Sequence, residues 1–256
     1  MVSFFSDSNI TRKNEESDMI SQMMRKANAS WDNPQNFNEI SQSTINKFTR
    51  SCDSRLKGIW RYKYLGIGKT KKYKHITNLD IPWGWKDPRN TFTLKIWLQL
   101  FPSAKIIHIY RNPIDVSISL YKRELKRRKM FILKLRKFLR EDILRNYWGH
   151  VYSHRSLSKH EGIQIWKEYI EKAFEYKHKY PVFDICYENF LQHPDDIIYQ
   201  LNEFIGLNSE INLSEITKSI DASRKYCFFN DPESIELYNL FKNDSLFKKL
   251  NYNNLI

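Results

Sequence analysis

Arg111 and Ser119 stand out as a pair whose types and spacing suit anion binding. Arg111 directly follows the apolar run Ala104-Lys105-Ile106-Ile107-His108-Ile109-Tyr110 and precedes Asn112-Pro113. A short apolar run of this kind reads as a buried parallel strand. Asn112 suits a helix N-cap and Pro113 the first helical position. Arg111 therefore falls at the carboxyl edge of a strand, where open parallel sheets bind ligands. The adjoining helix start offers unpaired N–H groups and partial positive charge. Ser119 lies about two turns into that helix. A guanidinium fork and a hydroxyl around one phosphate give geometry-specific recognition. The plainer alternative is an Arg111 paired with a structural carboxylate and a Ser119 facing solvent.

A second group of charged residues is Lys86-Asp87-Pro88-Arg89. The proline forbids a helix interior, so a short strand is expected to end near Asp87. Lys86 is then the basic candidate at a strand end. Asp87 is a candidate proton acceptor, or else a partner that holds Arg89 in an ion pair. His108, inside the apolar strand, reads as a satisfied core histidine rather than a catalytic one. The stretch Gly66-Ile67-Gly68-Lys69-Thr70 lacks the first glycine of a phosphate loop, because Lys63 stands in that place. It reads better as a basic surface turn. Residues 121–145 are basic and amphipathic, a solvated face or an attractor for an acidic saccharide or membrane. Scattered indoles such as Trp31, Trp60 and Trp148 could act as sugar-stacking platforms, whereas Trp166 sits on a core stripe.

The elements that must position these residues follow from periodicity. Met19, Ile20, Met23, Met24 and Ala27 mark a helix over about 15–28, and Phe37, Ile40, Ile45 and Phe48 mark another over about 37–52. Residues 55–78 give no clear period. Asn90 or Thr91 caps a helix that runs to about Leu100 before Phe101-Pro102. Further helices are expected over about 138–148, 161–179 and 232–242, and a strand over Val182-Phe183-Asp184-Ile185-Cys186-Tyr187. Pro194 opens a helix ended by Gly206. Strands alternating with helices indicate an α/β fold built on a parallel sheet.

Bulk properties limit the classes. The 256 residues are 41% hydrophobic and 15% aromatic, enough for a packed core, and fit a single domain over 1–256. The net charge of +13 calls for an anionic partner. Three cysteines, Cys52, Cys186 and Cys227, show no metal-ligand spacing and suit a reducing compartment. No metal is expected. No window approaches ~18 apolar residues, so no transmembrane helix is expected. The start, Met1-Val2-Ser3-Phe4-Phe5-Ser6-Asp7, is not a signal peptide, which makes the expected location cytoplasmic.

The segments Trp85-Lys86-Asp87-Pro88-Arg89 and Phe101-Pro102-Ser103 through Arg111-Asn112-Pro113 to Ser119 closely resemble the sulfotransferase family. The resemblance returns at Tyr187-Glu188-Asn189-Phe190-Leu191 and at Phe204-Ile205-Gly206-Leu207. It implies a three-layer fold like that of P-loop nucleotide-binding proteins. It also implies transfer of a sulfuryl group from 3′-phosphoadenosine 5′-phosphosulfate to a hydroxyl or amine, on a saccharide among other acceptors. By this resemblance Arg111 and Ser119 bind the 3′-phosphate and Tyr187 contacts the nucleoside. Arg89 joins the nucleotide site, and Arg224-Lys225 match a C-terminal basic segment. Lys86 and Asp87 are the catalytic candidates.

The resemblance also implies a glycine- and hydroxyl-rich loop around the 5′-phosphosulfate, after a first strand. Nothing before Trp83 reads that way, so the expectation is a fold missing its first strand and loop. Two further readings stay open: a non-catalytic or truncated nucleotide-binding homologue, and a basic nucleic-acid-binding protein. The second lacks any helix-turn-helix, zinc-finger or RRM signature.

Overall fold

The computed structural model describes residues 2–3, 15–58, 62–80, 83–135, 153–206, 217–218 and 220–256. The expected helix over 138–148, together with Trp60, Trp148 and Leu207, lies outside the described residues. The chain groups into two compact units. One comprises Met1–Ile109 and Lys172–Asp184, the other Tyr110–Glu171 and Ile185–Ile256.

The sheet has three strands in the order β1 (Val2–Ser3), β2 (Ile106–Tyr110) and β3 (Val182–Cys186). β1 runs antiparallel to β2, with Val2 opposite His108 and Ser3 opposite Ile107. β2 and β3 form a small parallel pair flanked by helices, and the Ile106 N–H donates to the Pro181 carbonyl at 3.4 Å. This is the α/β class expected from the alternation of strands and helices.

In the first unit, α1 (Glu15–Lys26) and α3 (Gln42–Lys57) present the apolar stripes read from the sequence. The single helix expected over about 37–52 is instead two, α2 (Gln35–Asn38) and α3. Ser41 makes the break: its backbone is extended and its hydroxyl accepts the Thr44 N–H at 3.3 Å, starting a new helix. α5 (Asn90–Leu100) contributes Leu94 and Leu98 to a core with Ile106 and Tyr176, against which Ala104 and Val182 pack.

Two local expectations fail in this unit. Residues 66–70 do not form a surface turn, since they lie within α4 (Tyr62–Lys72). A helix interior spends its N–H groups on its own carbonyls, so this stretch cannot cradle a phosphate. The strand expected to end near Asp87 is reduced to a single bridge at Lys86, with a turn at Pro88–Arg89 leading into α5. Trp83 and Trp85, two residues apart, still share a face as in a strand. Their rings stack at 5.7 Å and meet the edges of Phe101 and Trp97. The helix signal also lacks the expected side-chain cap, because Arg89 occupies the N-cap without one.

In the second unit, α6 (Pro113–Leu135) carries the first part of the basic run. α7 (Lys159–Lys177) follows, then α8 (Tyr187–Gln192) and α9 (Pro194–Ile205), which ends on Gly206 in the left-handed region as expected. α10 (Pro232–Phe241) matches its signal, and α11 (Ser245–Lys249) was not foreseen. Trp166 meets Phe247 edge-on at 5.8 Å, and Phe228 tilts against Tyr238 at 5.6 Å. Among the described residues no helix is long and apolar enough to cross a membrane.

Candidate functional site

The strand–turn–helix at Tyr110 to Ser119 has the cap that its sequence calls for. The Asn112 side-chain oxygen accepts the Asp115 N–H at 2.8 Å, and Pro113 is the first helical residue. Asp115 answers reciprocally, with Oδ2 accepting the Asn112 side-chain amide at 2.8 Å. This resembles a capping box, in which the first turn and the cap satisfy one another.

Arg111 is held from several sides. Its Nη2 donates to Asp115 Oδ2 at 2.6 Å and to the Arg224 carbonyl at 2.6 Å. The guanidinium carbon lies 5.0 Å from the centre of the Tyr187 ring, a cation–π contact. The Arg111 carbonyl accepts the Trp166 indole N–H at 3.0 Å. Glu188 Oε1 approaches Arg111 Nε at 4.0 Å. Nε is buried and has no hydrogen-bond partner. The guanidinium is therefore oriented through one terminal nitrogen, while its Nε edge keeps unspent donor capacity.

Glu188 links the two matched segments. Its side chain is 1% exposed. Oε1 accepts both the Asn112 backbone N–H and the Asn112 side-chain amide at 2.9 Å each. Oε2 accepts the Tyr252 hydroxyl at 2.8 Å and the Cys186 thiol at 3.3 Å. A buried carboxylate is tolerable only with such donors around it. Burial pushes the Tyr252 hydroxyl far above its ordinary value, with the Glu188 charge adding to the effect, so Tyr252 stays a donor.

The C-terminal basic segment closes on the same place. Asp115 Oδ1 accepts the Phe228 N–H at 3.0 Å. Tyr226 lies in the left-handed region at φ 48°, a conformation uncommon for a bulky residue. Its hydroxyl is pushed up to about 12, mainly by burial and then by Glu188. Arg224 meets Arg111 through its backbone carbonyl, while its own side chain is exposed. Lys225 Nζ sits 5.1 Å from the Tyr226 ring centre.

Of the residues singled out in the sequence, the second unit brings together Arg111, Tyr187 and Arg224. Ser119 is exposed on α6, about 9 Å along the helix axis from Pro113. Its neighbour Ser117 is buried instead and bonds the Lys159 carbonyl. Asp115 and Glu188, which no motif role singles out, stand inside the same motifs and hold the site together. A carboxylate three residues after an Asn-Pro cap was the available signal for Asp115.

Lys86, Asp87 and Arg89 belong to the first unit. Lys86 is exposed. Asp87 is buried and takes Arg89 in a fork: Nε donates to Oδ1 at 2.9 Å and Nη2 to Oδ2 at 2.6 Å. The Arg89 N–H also donates to Oδ1, and Nη1 reaches the Ser21 hydroxyl at 2.6 Å. His108, 2% exposed, bonds Asp184 through Nδ1 at 2.7 Å. Burial lowers its pKa to about 4 against the opposing pull of Asp184. The neutral ring must donate from Nδ1, since a carboxylate only accepts.

A family model described as "Sulfotransferase family" matches residues 5–210. An uncharacterized protein of Aquifex aeolicus (strain VF5) is 28% identical over 138 residues. That match covers 52% of this chain and 15% of the relative, so the chain spans only a small part of that protein's length. No solved structure matches significantly.

Proposed function

This chain belongs to the sulfotransferase family, and from that premise we propose that it transfers a sulfuryl group from 3′-phosphoadenosine 5′-phosphosulfate to a hydroxyl or amine acceptor, saccharides being one class that offers both. The observation that carries the reading is the state of Arg111. One terminal nitrogen is fixed by Asp115 and the Arg224 carbonyl, and Tyr187 lies against the guanidinium. The buried Nε is left without a hydrogen-bond partner. Nε faces the Glu188 carboxylate at 4.0 Å without bonding it; a phosphate oxygen is an anionic acceptor suited to the same guanidinium, and charge-assisted bonds of this kind are the strong ones.

In this reading Arg111 binds the 3′-phosphate, with Ser119 adding a hydroxyl from the exposed face of α6. Tyr187 lies against the guanidinium and contacts the nucleoside. Arg224 and Lys225 add positive charge around the same phosphate. Lys86, exposed, neutralises the charge that develops on the departing 5′-phosphate. Asp87 has both oxygens committed to Arg89, so its role in this reading is to hold Arg89. The acceptor oxygen attacks sulfur in line, the bond from sulfur to the 5′-phosphate oxygen breaks, and the acceptor's proton passes to a base. Catalysis of this type is mostly positioning and charge stabilisation.

The test is transfer of labelled sulfate to a panel of oligosaccharides carrying free hydroxyls and amines. Donors with and without the 3′-phosphate are compared. The expected result is label in an acceptor from the 3′-phosphorylated donor and at least tenfold less from adenosine 5′-phosphosulfate. Equal use of the two donors contradicts the assignment of Arg111.

A further inference from the structure

Arg111 owes its placement to groups outside its own strand–turn–helix. Its neighbour Asn112 is anchored by two hydrogen bonds to a single oxygen of Glu188. The other oxygen of Glu188 is anchored by the hydroxyl of Tyr252, near the end of the chain. Tyr252 is 2% exposed, lies edge-on to Tyr110 and Trp166 at 6.5 Å each, and donates its N–H to the Phe247 carbonyl at 2.7 Å. Trp166 in turn holds the Arg111 carbonyl. The turn that carries the guanidinium is thus fixed on its backbone side by a carboxylate and on its carbonyl side by an indole. Both rest on the ring of Tyr252.

Resting on the proposed 3′-phosphate role of Arg111, we infer that Glu188 and Tyr252 are positioning residues, which set the chain's preference for a 3′-phosphorylated nucleotide by fixing the Arg111–Asn112 turn. The physical ground is pre-organisation. An arginine fork discriminates one phosphate from another only when its plane is fixed before the ligand arrives. Glu188 supplies both a buried charge 4.0 Å from Nε and the anchor of the next residue. Tyr252 supplies the donor that keeps the second carboxylate oxygen from turning toward Arg111. Without that donor Oε2 keeps only the weak Cys186 thiol, so the carboxylate turns more readily toward Nε and competes there with a phosphate. Tyr252 therefore acts on the nucleotide site without touching the nucleotide.

The experiment compares dissociation constants of adenosine 3′,5′-bisphosphate and adenosine 5′-monophosphate for the wild type, Tyr252→Phe and Glu188→Gln, with thermal unfolding measured in parallel. The ratio of the two constants is the readout, because a general loss of stability weakens both ligands alike. We expect the wild type to favour the bisphosphate strongly. Tyr252→Phe should lower that preference roughly tenfold, the worth of one hydrogen bond to a charged group. Glu188→Gln should lower it at least as much, and Glu188→Asp should not restore it, since the shorter side chain cannot span Asn112 and Tyr252 together. Variants that melt earlier but keep the wild-type ratio overturn the inference and leave the assignment of Arg111 standing. A wild type with no preference for the bisphosphate overturns both.

Discussion

Asn112 gives Glu188 two hydrogen bonds, one from its backbone and one from its side chain, each 2.9 Å long. The pairing joins residues 76 positions apart and ties the Arg-Asn-Pro turn to the Tyr-Glu-Asn segment. Both segments carry the family resemblance, and the contact joins them in the folded chain. The first supplies the cation and helix start, and the second supplies the carboxylate that fixes them.

Asp115 is the other anchor. It is buried and accepts from the Asn112 amide, the Phe228 N–H and Arg111. Replacing Asp115 with alanine strands the buried Phe228 N–H and takes one of two acceptors from the Asn112 amide and from Arg111 Nη2. The expected cost is about 3 kcal/mol of stability, as for one partner removed from a buried pair, read from chemical denaturation. A loss below ~1 kcal/mol would mean that water replaces the carboxylate without penalty.

Ser119 lies on the exposed side of α6. Serine to alanine there should leave unfolding within about 0.5 kcal/mol of wild type. Binding of adenosine 3′,5′-bisphosphate should weaken about fivefold, for a lost hydrogen bond. Unchanged affinity would return Ser119 to the solvent-facing alternative.

Gly162, in the first turn of α7, packs against Ser117 of α6. A Cβ at this position would meet Ser117 Oγ at 2.8 Å and Ser117 Cα at 3.1 Å. Alanine ordinarily favours a helix interior over glycine by roughly 0.5–1 kcal/mol. Here the backbone contact should reverse the sign, making Gly162→Ala destabilising by about 1–2 kcal/mol in urea unfolding. A stabilised variant would show that the two helices separate at little cost.

His108 gives the protein an acid-sensitive element. In the folded chain its pKa is about 4, against an ordinary value of 6.5. Between those values the unfolded chain binds more protons, so stability rises with pH across that window and is lost as pH falls through it. The loss from this group amounts to roughly 3 kcal/mol by pH 4. For Asp184, burial opposes ionisation, but the hydrogen bonds from His108 and Lys177 outweigh it and keep the carboxyl below its ordinary range. Its contribution is therefore lost only at still lower pH. Unfolding free energies measured from pH 7 to 4 should slope accordingly, and His108→Gln should flatten the slope. An unchanged slope would assign the acid sensitivity to other groups.

The legible parts of the sequence were those where local chemistry and tertiary use coincide. Asn112, Pro113 and Gly206 adopt the cap roles their types predict. The apolar run at 106–110 became β2, buried over its first three residues, because such a strand needs no alternation; the run at 182–186 became the half-buried β3. Residues 35–57 misled because Phe37 and Phe48 stack across the break at Ser41, so their apolar spacing continues through a chain reversal. Residues 66–70 misled for the opposite reason: glycines that suggest a loop are tolerated within α4. In the site, Arg111 and Tyr187 could be read from type and spacing. Glu188 and Tyr252 could not, because their partners are 64 residues apart and meet only on folding.

Arg111 is the proposed 3′-phosphate ligand. Calorimetric titration of adenosine 3′,5′-bisphosphate into the wild type and Arg111→Ala, at one fixed salt concentration, tests that assignment most directly. Saturable one-to-one binding by the wild type and about a hundredfold loss in the variant are expected, with both chains folded by circular dichroism. Equal affinity in the two proteins, or no binding by a folded wild type, would contradict it.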